Sequence, residues 1–198
     1  MDIYDILNSW NIRINNDENY MNCLLNTNKT FFTDRFPYPI NNCDKANQLL
    51  FSYMDVVENK CPRSDFLNVE MRYRNIFNKL WAYNKTFAEY IPSQSHSSHS
   101  DISKLLDSEY KKFMYLLDKG NNADTMVEIN NKYELEFLVQ VVLRNDVDIT
   151  FYFEDYEVLV FPPPAIDVQG FTLYLNNKTY LTSVKNMFLS ENIYFLEN

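Results

Sequence analysis

Glycine is nearly absent from this chain of 198 residues: only Gly120 and Gly170 occur. Loops that bind phosphates and dinucleotides use several glycines, because the backbone has to turn tightly and approach the ligand without a Cβ atom. Two isolated glycines cannot form such a loop. The sequence therefore argues against the common nucleotide-binding enzymes, and no cofactor is expected.

Histidine is equally scarce. His96 and His99 both lie in the serine-rich stretch SQSHSSHSD, just before a predicted helix. A zinc site needs three or four ligands, and a nucleophilic enzyme usually needs a base held in place. Because no partner motif accompanies these histidines, we interpret residues 93–100 as a flexible linker loop. We expect neither a metal site nor a catalytic residue in it.

Long apolar runs and a leader segment are also lacking. No stretch approaches the roughly 18 apolar residues that a membrane span requires. The N-terminus, MDIYDILNSW, has no basic segment typical of a signal peptide. The three cysteines form no C-x-x-C pair, which is typical of reduced thiols in the cytosol. We therefore expect a cytoplasmic protein without membrane contact.

The hydrophobic pattern that is present predicts an α+β protein. Helical spacing of apolar residues occurs over 2–10, 44–57, 66–91 and 102–117. The spacing changes to two from residue 147, and five segments there predict strands: DITFYF, YEVLVF, GFTLYL, KTYLTS and NIYFLE. A short helix is expected around 184–189, whereas 131–145 fits either a helix or a strand. We predict one domain over 1–198, in which a helical part (about 1–145) packs on a mostly antiparallel sheet (about 146–198).

Residues 148–161 predict a β-hairpin. A two-residue turn at Glu154-Asp155 pairs Phe153 with Tyr156, whereas a longer loop shifts this register. One face of the hairpin is then apolar. The other face carries both acidic and apolar side chains: Asp148, Thr150, Tyr152, Glu157, Leu159 and Phe161.

Basic residues are missing from positions 145–177, where six acidic residues occur. The first hundred residues hold ten basic and eleven acidic residues, and the rest hold eight and sixteen. Acidic side chains steer a basic partner toward the surface, and buried aromatic side chains supply most of the affinity. Direct binding of nucleic acid is disfavoured, because phosphate contacts need a basic patch.

We therefore predict a non-catalytic protein-binding protein, most concretely an acidic immunity or inhibitor protein that masks a basic toxin or nuclease. The predicted contact residues are Asp146, Asp148, Tyr152, Glu154, Asp155, Glu157, Leu159 and Phe161. The competing interpretation is an acidic sheet edge that serves solubility alone.

Two other functions stay open at this point. One is a metal-dependent enzyme with an acidic site built from Asp146, Asp148 and Glu157. The other is a structural or regulatory subunit of a homo-oligomer that packs through exposed Leu159 and Phe161. Both the contact surface and the oligomer require an open outer face on the hairpin. An N-terminal helix lying over that face would turn these side chains into core.

Overall fold

The computed structural model describes residues 2–14, 20–25, 27–38, 53–91, 126–144, 148–162 and 170–197. Seven strands in these residues form one antiparallel sheet with the order β3-β2-β4-β5-β6-β1-β7. The strands are β1 (Thr30–Asp34), β2 (Thr86–Ile91), β3 (Val127–Glu128), β4 (Asp148–Phe153), β5 (Val158–Phe161), β6 (Thr172–Leu175) and β7 (Tyr194–Glu197). The predicted α+β class is confirmed.

Helices lie on both faces of this sheet. They are α1 (Ile3–Ser9), α2 (Tyr20–Leu25), α3 (Tyr53–Val57), α4 (Arg63–Ala82), α5 (Lys132–Leu143) and α6 (Leu181–Leu189), with a 3₁₀ turn at Lys178–Tyr180. On the first face, α4, α5 and α6 pack on alternate side chains of the strands and form the first core. On the second face, α1 and α2 pack on the side chains between them and form the second core.

Helix α4 supplies much of the first core. Its apolar stripe is buried, and the Phe77 ring lies 4.9 Å from the Phe151 ring and 4.8 Å from the Phe171 ring. Aromatic pairs at such distances add to the free energy gained from burial. The sheet and the longest helix are therefore joined through the middle of β4.

The end of α4 differs from the prediction. The helical pattern extends to residue 91, but the helix stops at Ala82 and Thr86–Ile91 forms β2. Two contacts explain the change. The buried Asn84 side chain donates to the carbonyl of Leu80 at 2.6 Å, and β2 pairs with β4 from Thr86 opposite Phe153 to Ile91 opposite Asp148.

The hairpin adopts the longer loop. Phe153 pairs with Val158, so residues 154–157 form the connection and the two-residue turn is wrong. The shift is by two positions, and each side chain therefore keeps its predicted face. Glu157 has φ 51°, in the left-handed region, which is uncommon for residues other than glycine, asparagine and aspartate.

Other predictions have mixed outcomes. The N-terminal helix, the helix near 184–189 and the strands in GFTLYL and NIYFLE are confirmed, and the ambiguous segment 131–145 contains a helix over Lys132–Leu143. The predicted strand KTYLTS is wrong, because Asn177 caps a 3₁₀ turn there by accepting the Thr179 amide at 3.1 Å. Strand β1 was not predicted. With β2 and β3 it brings residues from before 145 into the sheet. Segments 93–100 and 102–117, and residues 44–52, lie outside the described residues.

A buried ion pair holds α5 against α4. The Glu70 side chain is buried and accepts from Arg144 Nε at 3.0 Å and from Gln140 Nε2 at 3.0 Å. Arg144 also lies over the Tyr53 ring of α3, at 5.0 Å from the ring centre. Hydrogen bonds to both partners offset the cost of removing the carboxylate from water, so three helices are held together at one point.

Two buried threonines allow a test of the sheet's hydrogen bonds. The hydroxyl of Thr172 has no hydrogen-bond partner among the described residues, whereas Thr33 Oγ1 donates to the Phe171 carbonyl at 2.8 Å and accepts the Phe171 amide at 2.9 Å. We expect Thr172→Val to leave the free energy of unfolding unchanged or raise it by about 1 kcal/mol. Thr33→Val should lower it by about 1–3 kcal/mol. Urea denaturation measures both, and a loss of stability in Thr172→Val that equals the loss in Thr33→Val would contradict this account.

Candidate protein-binding site at the tip of the hairpin

The outer face of the hairpin is covered by α1. Tyr152, Leu159 and Phe161 are only 6%, 0% and 1% exposed, and they belong to the second core together with Ile3, Ile6 and Leu7 of α1. Their predicted roles as contact residues are therefore wrong, since a buried side chain cannot reach a partner in this fold. The same finding removes the oligomer that would pack through Leu159 and Phe161.

Helix α1 is short but well anchored. Asp2 Oδ1 accepts the Asp5 amide at 2.7 Å and Asp5 Oδ2 accepts the Asp2 amide at 3.2 Å, which makes a capping box. Just after the helix, the Trp10 ring stacks with Tyr174 at 5.9 Å and meets the edge of Tyr152 at 5.8 Å. Capping and aromatic contacts together hold the helix on the sheet.

We call the 154–157 connection the hairpin tip. Its three acidic residues have different surroundings. Asp155 is exposed, and its Oδ2 accepts the Lys85 amide at 2.8 Å. Glu157 is half-buried, and its Oε2 accepts from Asn176 Nδ2 at 2.8 Å. Glu154 is exposed, and its carboxylate makes no hydrogen bond or ion pair with the described residues. Glu154 is thus fully available to a partner, Asp155 is partly available, and Glu157 is committed to the fold.

The remaining predicted acids are distant from the hairpin tip or outside the described residues. Asp148 begins β4 at the end opposite the tip, and only its backbone is described. Five residue steps of about 3.3 Å separate it from the end of that strand, so one metal ion cannot bind both Asp148 and Glu157. Asp146 lies outside the described residues. Among the described residues, no three His, Cys, Asp or Glu side chains come together as metal ligands.

Hydrogen bonds fix the position of the hairpin tip. Asn84 Oδ1 accepts the Tyr156 amide at 2.8 Å, while its amide nitrogen caps α4. The Glu154 amide donates to the Lys85 carbonyl at 2.9 Å, and the Asn176 amide donates to the Glu157 carbonyl at 3.0 Å. The tip is therefore tied to the end of α4, the start of β2 and the end of β6.

Three tyrosines that were not predicted as contact residues lie at the hairpin tip: Tyr156 within it, and Tyr83 and Tyr180 beside it. The rings of Tyr156 and Tyr180 stack at 4.7 Å with an angle of 18° between their planes. Tyr83, one residue before Asn84, is 64% exposed. Tyr83 lies inside the predicted helix and Tyr180 inside a wrongly predicted strand. The predicted elements therefore did not bring these two tyrosines to the same place. The sequence Tyr83-Asn84 was the available signal, because asparagine often follows the last turn of a helix.

Lysines from other parts of the chain also lie at this end of the sheet, although residues 145–177 contain no basic residue. Lys85 Nζ lies 3.6 Å from Glu128 Oε2 and 4.9 Å from the centre of the Phe87 ring. Lys29 Nζ donates to Asn176 Oδ1 at 2.9 Å and lies 6.0 Å from the Tyr174 ring centre. Phe87 and Tyr174 belong to the second core, whereas Tyr156 and Tyr180 pack against the first. The two lysines therefore lie on the other side of the sheet from Tyr156 and Tyr180.

The acidic tip also changes the ionisation of its neighbours. Burial, together with the nearby carboxylates of Glu154, Glu157 and Asp155, raises the pKa of Tyr152 to about 12. Burial likewise raises the pKa of Tyr156, with smaller effects from Tyr83, Tyr180 and Asp155. Ionisation of either phenol is therefore disfavoured, whereas a positive charge near the carboxylates would be stabilised.

The burial of Leu159 can be tested against the exposure of Glu154. We expect Leu159→Ala to lower the free energy of unfolding by about 2–5 kcal/mol, because the substitution leaves a cavity in the second core. Glu154→Ala should change it by at most about 0.5 kcal/mol. Chemical denaturation of both variants measures the difference. Equal effects would mean that α1 does not cover the hairpin in solution.

The raised pKa of Tyr152 predicts a loss of stability in alkali. The phenol ionises near pH 10 in the unfolded chain but only near 12 in the fold. Its contribution is therefore complete below pH 10 and is lost as the pH rises toward 12. Unfolding free energies at pH 9 and pH 11 should fall less for Tyr152→Phe than for the natural chain. Parallel losses in the two proteins would contradict the raised pKa.

Comparison with known proteins adds no relative. No protein-family model, curated protein or solved structure matches this chain. None of the helices in the described residues is long and apolar enough to cross a membrane. The function therefore has to be inferred from the hairpin tip and its surroundings.

Proposed function

We propose that this chain is a non-catalytic binding protein that uses the hairpin tip to contact a basic surface on a protein partner. In its most concrete form it is a cytoplasmic immunity or inhibitor protein that masks a basic toxin or nuclease. The observation that carries the proposal is the pair of exposed acids, Glu154 and Asp155, next to the exposed Tyr83.

The charge and exposure of these residues suit the recognition of a basic partner. Glu154 has no internal partner among the described residues, so its charge acts outward. Exposed charges of this kind speed encounter with an oppositely charged surface and select against acidic partners. Tyrosine beside them supplies apolar contact area with a hydroxyl at its end, a combination enriched at protein interfaces.

The rigidity of the hairpin tip supports the same function. Backbone amides in the tip and at its borders are fixed by Asn84, Asp155 and the ends of the neighbouring strands. A surface that is already ordered loses less conformational entropy when it binds. The backbone of the tip therefore has a defined position, which favours a contact surface over an acidic segment that only improves solubility.

Capture from the host lysate with the tagged chain tests this proposal. At low salt we expect one basic protein to be retained, and raising the salt should release it because exposed charges are screened. Glu154→Lys should reduce the retained amount at least tenfold. Asp155→Asn, which keeps an oxygen to accept the Lys85 amide, should reduce it less strongly.

Glu58→Lys is the matched control. Glu58 is also exposed and pairs, among the described residues, with exposed Lys60 at 2.5 Å. This variant makes the same charge change at a position away from the tip. It should retain the partner fully. Equal retention by Glu58→Lys and Glu154→Lys would exclude the hairpin tip as the contact surface.

A further inference from the structure

We infer that Tyr83, Tyr156, Tyr180 and Asp155 form a subsite for one arginine side chain of the partner. This inference rests on the proposed function and specifies the chemistry that the hairpin tip recognises. It depends on the rings that pack against the first core and on the carboxylate of the residue immediately before Tyr156.

The rings provide the first part of the subsite. Tyr156 and Tyr180 form a stacked pair that packs against the first core, so both rings have a fixed orientation. Tyr83 is adjacent, because the residue after it, Asn84, accepts the Tyr156 amide. A cation is attracted to the face of an aromatic ring, and the attraction is stronger where the rings are held in place and partly shielded from water.

The carboxylate provides the second part. Asp155 immediately precedes Tyr156, and its Oδ2 accepts the Lys85 amide at 2.8 Å. Its Oδ1 has no hydrogen-bond partner among the described residues, and the residue is exposed. One carboxylate oxygen is therefore available to a cation lying against the rings.

Arginine suits this combination better than lysine. The guanidinium group is planar, stacks on aromatic rings and donates several hydrogen bonds in one plane, whereas an ammonium group is a compact and strongly hydrated point charge. Lys29 and Lys85 contact rings of the second core, so they do not occupy the subsite. Lys178, two residues before Tyr180, is exposed, and its charge opposes a second cation.

Titration of the full chain with three capped amino acids tests the subsite directly. The probes are N-acetyl-arginine amide, the lysine analogue and the neutral isostere N-acetyl-citrulline amide, and the readout is the NMR ring signals of ¹³C-labelled tyrosine. We expect arginine to shift the signals of Tyr83, Tyr156 and Tyr180, lysine to shift them less, and citrulline to leave them unchanged. Tyr133, 80% exposed on α5, is the internal reference and should not move.

Variants sharpen the test. Tyr83→Ala and Asp155→Asn should each weaken arginine binding about threefold, whereas Tyr133→Ala should leave it unchanged. Lys178→Ala should strengthen it about twofold, since it removes a repelling charge from an exposed site. Equal shifts with all three probes, or shifts at Tyr133 as large as those at Tyr83, would overturn the subsite.

The two proposals fail in different ways. If a partner is captured and lost with Glu154→Lys, but arginine shifts no signal at the tip, the subsite is wrong and the binding function stands. If arginine binds at the tip but the chain captures no partner, the subsite stands and the proposed function is wrong.

Discussion

The two apolar faces of the β4–β5–β6 meander are the constraint on which the rest of the structure depends. Strand β5 reads VLVF, and all four side chains are buried. An antiparallel sheet often leaves one face in water, but a strand without polar positions cannot do so. The fold therefore needs a helical layer on each side: α4, α5 and α6 on one, and the much smaller α1 and α2 on the other.

Because helices cover both faces of the sheet, the surface available for binding lies at the ends of the strands. At one such end, the Asn84 amide nitrogen donates to the Leu80 carbonyl in the last turn of α4, and the Asn84 oxygen accepts the Tyr156 amide of the hairpin tip. A buried amide with both groups hydrogen-bonded specifies one geometry, because any displacement leaves a polar atom without a partner. The position of the exposed acids thus follows from the way in which the longest helix ends.

Much of the fold was predictable from periodicity, whereas the candidate site was not. Helix α1, the hairpin faces and the C-terminal strands follow local patterns of hydrophobic residues. The change from α4 to β2 does not, because it depends on pairing with β4, about sixty residues later in the chain. The burial of Leu159 and Phe161 was indicated by the apolar run itself, which fits a strand between two layers. Tyr83 and Tyr180 are brought to the tip by tertiary structure alone.

Charge along the chain and charge on the surface are different quantities in this protein. Lys29 and Lys85, which precede β1 and β2, lie against the interval without bases, and Glu157 accepts a hydrogen bond from Asn176. A carboxylate that already accepts an internal hydrogen bond has less to gain from a partner. In the function proposed above, recognition depends on groups that form no hydrogen bond with the described residues, which are Glu154 and one oxygen of Asp155, together with the exposed Tyr83. The backbone that carries these groups is held by hydrogen bonds to Asn84, Lys85 and Asn176, and an ordered backbone, rather than total charge, suits them to a specific cationic contact.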